Sequence, residues 1–217
     1  KFAWDASIKQ LEVEELRTSV KESELLFLKS QINPHFLFNN LNNLYSYAIE
    51  QSPKTPSIIL ELSSVLRYML YDCRAKFVGL GKEIEHLKNF TQLNELQIEE
   101  RGKVSFQTKH IKDNYEIAPL ILSVFIENAF KHSTASQADG IFIDVNISLD
   151  DKGCLNFECR NSFLETTNTD KLSHGIGLQN VKKRLQLLYP NAHKMYIQEN
   201  QNIYYVHLKL MLTQGSI

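Results

Sequence analysis

The chain has 217 residues and a mass of 25.1 kDa, room for one large domain or two small ones and enough to bury a core. Apolar residues make up 43%, and Pro and Gly number only 5 and 8, which excludes disorder, collagen and low complexity as global descriptions. Lys+Arg (24) nearly balances Asp+Glu (25), so the overall charge gives no footprint for direct binding of nucleic acid or of an anionic membrane.

Cys73, Cys154 and Cys159 are an odd, sparse set with no disulfide framework and no metal-ligand spacing; they read as free thiols of a reducing compartment. No apolar run reaches the ~18–20 residues that span a bilayer. The chain starts at Lys1 and carries no signal peptide, so it reads as a fragment of a longer protein whose N-terminal part is missing.

Residues 5–52 read as helix. The stretch from Ile8 to Leu28 is rich in Glu, Lys, Leu and Val and lacks Gly and Pro. Its competing apolar stripes suit either a coiled-coil-like signalling helix or an amphipathic helix docked on its own domain. Ser52-Pro53-Lys54-Thr55-Pro56 signals a turn, and Ser57–Lys76 a second helix with Ile58, Leu62, Val65, Leu66, Met69 and Leu70 on its apolar side. Two helices joined this closely form an antiparallel hairpin. Its stripes are broader than one hairpin can cover, which predicts a homodimer through residues 1–77, closed as a four-helix bundle.

The texture changes after Gly81. A helix is expected over 82–100, with Ile84, Leu87, Phe90, Leu93 and Leu96 in helical steps. Alternation predicts strands at Val104–Thr108, Ile141–Ser148, Leu155–Cys159, Met195–Glu199 and Ile203–Leu210, with helices at Pro119–His132 and Leu178–Leu188. This order favours a mixed sheet with helices on one face, an α/β sandwich.

The most informative stretch of the first helix is Gln31-Ile32-Asn33-Pro34-His35-Phe36-Leu37-Phe38-Asn39-Asn40-Leu41. On a wheel of about 100° per residue, Leu37, Leu41, Leu44 and Ala48 fall opposite His35, while Asn39, Asn42 and Ser46 fall beside it. His35 is thus expected on a polar face, where Asn39 would hydrogen-bond one ring nitrogen and leave the other nucleophilic. A lone exposed histidine more often does nothing. Pro34 either kinks the helix, at a cost of about 3 kcal/mol, or opens a new one capped by Asn33.

In the second half, Ile126-Glu127-Asn128-Ala129-Phe130-Lys131-His132 places a carboxylate, an amide and two cationic groups on one helical arc. The amide oxygen suits Mg²⁺, and Lys131 and His132 suit phosphate oxygens. The plain alternative is a solvated last turn. His174-Gly175-Ile176-Gly177-Leu178-Gln179-Asn180-Val181 opens the next helix, where glycines let the backbone approach a phosphate. A lone Gly-x-Gly is commoner in ordinary tight turns.

Taken together and in order, "QINPHFLFNNL", "LSSVLRYML", "APLILSVFIENAFKH" and "HGIGLQNVKKRLQLLY" resemble the four signatures of the LytS/YehU-type sensor histidine kinases, over about residues 25–212. The resemblance implies a bacterial two-component system with an α plus α/β architecture. Residues 1–24 would be the signalling helix, 25–77 the dimerisation and histidine-phosphotransfer hairpin, and 78–213 a GHKL (Bergerat-fold) ATP-binding domain. It implies ATP, Mg²⁺, a homodimer and a response regulator, often of the LytTR type. It also implies the cytoplasmic portion of an inner-membrane protein, tied to the membrane only through upstream segments.

Carried over, His35 matches the phosphoacceptor and Asn39 its helical neighbour. Glu127 matches the acidic residue that polarises the acceptor, and Asn128 the Mg²⁺-binding asparagine of the N box. Lys131 and His132 match phosphate-side residues, and Gly175 and Gly177, with Leu178 beside them, the glycine box. Arg67 in the second hairpin helix is expected in a structural ion pair.

One departure stands out. Where such proteins have an Asp-x-Gly-x-Gly box whose Asp binds the adenine amino group, this chain has Arg160-Asn161-Ser162-Phe163. Asn161 keeps an acceptor but loses the charge, which predicts weak ATP binding, tightened by Asn161→Asp. Ser162–His174 would be a short ATP lid. Two alternatives remain: a GHKL serine kinase of the anti-sigma type, without a phosphoacceptor hairpin, and a degenerate, non-catalytic dimerising scaffold.

Overall fold

The computed structural model describes residues 34–136, 139–163, 176–200 and 202–215. The helix expected over the first thirty-three residues, its coiled-coil seam included, lies outside them. The chain divides into two compact units after Asn42.

Of the first unit, the described part is the start of α1 (Pro34–Ile49). Phe36 and Asn40 are its buried residues, and the Asn40 side-chain amide donates to the Phe36 carbonyl at 2.9 Å. The stripe expected to be covered is not: Leu37 is only half-buried and Leu41 exposed. The covered line runs one residue out of the expected register.

The second unit begins with the rest of α1. The chain turns back through Gln51, in the left-handed region at φ 52, and the Ser52 N–H donates to the Tyr47 carbonyl at 2.9 Å. Pro56 sits in the first turn of α2 (Thr55–Leu70), where its missing N–H costs nothing. Leu44 of α1 lines an open groove with Ile59, Leu62, Leu66 and Leu70 of α2, as an antiparallel hairpin requires. Arg67 lies exposed on the rim of this groove and makes no ion pair among the described residues, contrary to expectation. The helix stops at Leu70, short of the expected Lys76. Cys73 is buried and its thiol donates to the Met69 carbonyl at 2.8 Å, which turns the chain through a 3₁₀ stretch, Asp72–Arg74.

Helix α3 (Leu80–Glu95) packs on α2. Its covered stripe is Leu80, Glu83, His86, Leu87, Phe90, Leu93 and Asn94, so two ionisable groups sit where apolar ones were expected. Tyr68 of α2 donates its hydroxyl to Glu83 and stacks on His86, with ring centroids 4.3 Å apart. Asn89 donates to the Ser64 hydroxyl at 3.2 Å.

The five-stranded sheet has the order β2-β4-β5-β7-β6, from β2 (Gly102–Lys109), β4 (Ile141–Leu149), β5 (Cys154–Ser162), β6 (His193–Asn200) and β7 (Ile203–Met211). The β2–β4 pair is parallel and the others are antiparallel. Gly102 is required at the β2–β4 contact, where a Cβ would stand 2.2 Å from the Ile141 carbonyl oxygen. The expected alternation holds. Ile141, Ile143, Val145, Ile147 and Leu149 are buried, as are Leu155, Phe157 and Cys159, beneath α4 (Ser123–Ser136). The other face carries Asp144, Asn146, Glu158 and Arg160. Helix α5 (Ile176–Leu188) packs beside α4. Two-residue β1 (Val78–Gly79) and β8 (Thr213–Gln214) flank β3 (Tyr115–Ile117) in a small second sheet that sequence periodicity did not reveal. Among the described residues no helix is long and apolar enough to cross a membrane.

Helix α4 starts at Ser123 rather than Pro119 because the residues before it are held otherwise. The Ala118 N–H donates to the Tyr189 hydroxyl at 2.7 Å, and Arg184 of α5 donates to the Pro119 carbonyl at 2.9 Å. Leu120 adopts the left-handed region at φ 60, and its N–H donates to the Glu83 carboxylate at 3.0 Å. Such a conformation costs about 1–3 kcal/mol and persists where its surroundings over-determine it.

Burial pushes the Glu83 carboxyl up to about 7, against the pull of Tyr68, the Leu120 N–H and Arg184. Burial pushes His86 down to about 3. The two slopes oppose. The Glu83 contribution is complete below its unfolded value near 4.5 and is lost as pH rises through 7; the His86 contribution is complete above about 6.5 and is lost as pH falls. In Glu83→Gln only the histidine slope remains. Between pH 5 and 7 the variant should gain on the order of 2 kcal/mol relative to the wild type in denaturant melts. Parallel pH curves would show that the Glu83 carboxyl does not titrate there.

Candidate functional site

Helix α4 buries Phe125, Ile126, Ala129 and Phe130 against the sheet, and Phe125 meets Phe157 at 5.6 Å between ring centroids. The same periodicity turns Val124, Glu127, Asn128 and Lys131 to another arc, where Glu127 and Asn128 are half-buried and Lys131 is exposed. His132 is half-buried.

The start of α5 lies against that arc. A Cβ on Gly177 would stand 3.5 Å from Val124 Cγ1, ordinary contact, so the glycine packs there without strain and adds no bulk. Leu178 is half-buried. The fold thus brings Gly177 beside Val124, one turn before the Glu127–Asn128 segment, although the two stretches lie some fifty residues apart in sequence. The backbone N–H groups that open α5 have no partner within the helix and carry partial positive charge, which suits phosphate oxygens.

Asn161 sits on β5, paired with Ile143, and is 2% exposed beneath α4. Its amide nitrogen donates to the Ser133 hydroxyl at 3.2 Å and to the Ser162 carbonyl at 3.0 Å. Ser133 itself donates to the Ser162 carbonyl at 2.7 Å. Both amide donors are therefore used inside the protein, and the oxygen remains as the acceptor. Ser133 is a residue that sequence reasoning missed. Its signal was present: it stands one turn after Ala129 and three residues after Phe130, on the buried side of the helix.

This geometry changes one expectation. Aspartate at 161 would bring a carboxylate oxygen against the Ser162 carbonyl and lose two hydrogen bonds, so the expected gain from Asn161→Asp is opposed. Asn161→Ala removes the acceptor without the clash. ATP affinity should fall about tenfold, with loss of discrimination against GTP. Calorimetric titrations with both nucleotides check this, and unchanged affinities would remove Asn161 from the base site.

His35 is the second residue of α1, but its side chain lies outside the described residues. Asn39 follows one turn on and is half-buried. Gly175 and the part of the expected Ser162–His174 lid after Phe163 also lie outside, while Ser162 is not lid but the buried last residue of β5, tied into the sheet by the strand pairing.

The donor set fits a magnesium nucleotide. Asn161 supplies an oriented acceptor, the start of α5 supplies N–H groups, and Lys131 supplies a cation. Among the described residues no group of three His, Cys, Asp or Glu side chains forms a metal cage. A lone amide oxygen such as that of Asn128 is what Mg²⁺ needs when substrate phosphates and water complete its shell.

The model of the histidine kinase family matches residues 23–102. Sensor protein LytS of Bacillus subtilis is 30% identical over 132 residues, 61% of this chain and 22% of that protein. Sensor protein LytS of Enterococcus faecalis is 26% identical over 210 residues, 91% of this chain and 36% of that protein. The chain is thus similar to the LytS-type sensor histidine kinases. It spans only 22% and 36% of the length of these two LytS relatives. The histidine kinase domain of the Erythrobacter litoralis EL346 blue-light activated histidine kinase has the same fold. The TM-score is 0.51 at 14% identity, covering 90% of this chain and 94% of that one. The α/β sandwich expected from the alternation pattern is therefore the fold observed, and it is that of a histidine kinase domain.

Proposed function

We propose that the chain is the kinase core of a sensor histidine kinase, which transfers the γ-phosphoryl group of ATP to His35 and then to an aspartate of a response regulator. The observation that carries this reading is the approach of Gly177 to Val124, which sets the glycine-box helix beside the arc of Glu127, Asn128 and Lys131. ATP supplies the phosphoryl group, and Mg²⁺ neutralises its charge. Asn161 accepts from the adenine amino group. The N–H groups of Gly177 and Leu178, with those at Gly175, hold the phosphates, and Lys131 and His132 flank them. Asn128 holds the metal through its amide oxygen. Glu127 orients and polarises His35, whose tautomer Asn39 sets.

In this reading residues 1–24 are the signalling helix, 25–77 the phosphotransfer hairpin and 78–213 the ATP-binding domain. The partner regulator is of the LytTR type, and upstream segments tie this cytoplasmic portion to a membrane. Incubation with labelled ATP and Mg²⁺ tests the reading. The label should be lost in acid, survive alkali and map to His35. Acid-stable label would indicate a serine kinase, and absence of label a scaffold.

The active species is a homodimer. The hairpin exposes Tyr45 (68%), Ile49 (64%), Ile59 (48%) and Leu60 (71%), an apolar surface of the kind a second copy covers. Light scattering at tens of micromolar should give twice the chain mass, and Leu60→Glu should give monomers. A monomeric wild type would overturn this assembly.

A further inference from the structure

We propose that Glu83 is a positioning residue for phosphoryl transfer: its buried carboxylate latches the second hairpin helix to the helix carrying Glu127 and Asn128. The proposal rests on the kinase reading above.

Glu83 is fully buried on α3 and is held from two directions. From α2 it receives the Tyr68 hydroxyl. From the segment leading into α4 it receives the Leu120 N–H, at 3.0 Å to one carboxylate oxygen and 3.2 Å to the other. That segment is fixed again by Arg184 on the Pro119 carbonyl and by the Tyr189 hydroxyl under the Ala118 N–H. Arg184 belongs to α5, the helix that Gly177 opens. One carboxylate thus connects the hairpin helix, the start of α4 and, through Pro119, the glycine-box helix.

An apolar side chain would fill this position at lower desolvation cost, and buried ionic groups can be retained for the geometry they specify. The geometry here is the left-handed turn at Leu120, which sets where α4 begins. A shift of α2 moves the Tyr68 hydroxyl and, through Glu83, the α4 start. The latch therefore governs how the nucleotide-bearing helices stand relative to α2. It does not contribute a group to the nucleotide pocket itself.

Tyr68→Phe removes only the hydroxyl. The rate of His35 labelling at saturating ATP should fall at least tenfold, while the ATP dissociation constant stays within threefold. Glu83→Gln keeps the acceptor for Leu120 but not the carboxylate, and should lower the rate similarly. The double variant should be no slower than the slower single one, because both act through one bond. A rate within twofold of wild type, an equal loss of ATP affinity, or additive effects would each overturn the proposal.

Amide hydrogen exchange reads the latch without catalysis. Tyr68→Phe should speed exchange across residues 118–128 at least tenfold, and unchanged exchange overturns the latch. If the wild type takes no label on His35, the kinase reading and with it the role in transfer fall, while exchange still decides whether the latch exists.

Discussion

Label incorporation should fall to background in His35→Gln, with ATP affinity within twofold of wild type. Glutamine keeps a polar side chain of similar reach but offers no nucleophilic ring nitrogen. The residues proposed to hold ATP come from α4, β5 and α5, all in the compact unit that begins after Asn42, whereas His35 belongs to the unit before it. Nucleotide binding therefore has no group to lose. Phosphorimaging and calorimetry on the same preparation check both halves. Label that persists in His35→Gln would sink the phosphoacceptor assignment, and a large loss of ATP affinity would show that His35 supports the nucleotide pocket.

Asn128→Asp should reduce Mg²⁺-dependent ATP binding and autophosphorylation at least a hundredfold, with the fold retained. The change keeps the size of the side chain but adds a negative charge among phosphate oxygens and removes the amide donor. Asn128 is half-buried on the outer arc of α4, beside buried Ala129, so no core packing is disturbed. Near-UV circular dichroism should match the wild type. Calorimetry with and without Mg²⁺ separates loss of the metal contribution from loss of the pocket. Wild-type labelling in this variant would refute the metal assignment. Mixing it with His35→Gln adds a second result: label that returns in the mixed dimer comes from transfer across the two chains.

Much of this was legible in the residues themselves. The alternation of Ile141, Ile143, Val145 and Ile147, and of Leu155, Phe157 and Cys159, can bury one face only as strands, and it does. The Asn128 segment and the Gly177 segment were each ambiguous alone and specific only in order. Short β1, β3 and β8 carry too few residues for any period to register.

Tertiary structure decided the rest, because long-range hydrogen bonds outweighed local preference. Helix propensity ran from Pro119, yet Glu83, Arg184 and Tyr189 claim Ala118–Leu120 and delay α4 to Ser123. The stripe Leu80, Glu83, Leu87, Phe90 and Asn94 has core spacing, but a charged residue within it reads as surface until its donors are known. Asn161 shows the same division. The sequence has an amide where the resemblance led one to expect an acid. Ser133 and the Ser162 carbonyl, brought near only by folding, determine how that amide is turned. Composition and periodicity thus determined the layers of this protein and the residue types at its site. The orientation of those residues followed from contacts between segments that are distant in sequence.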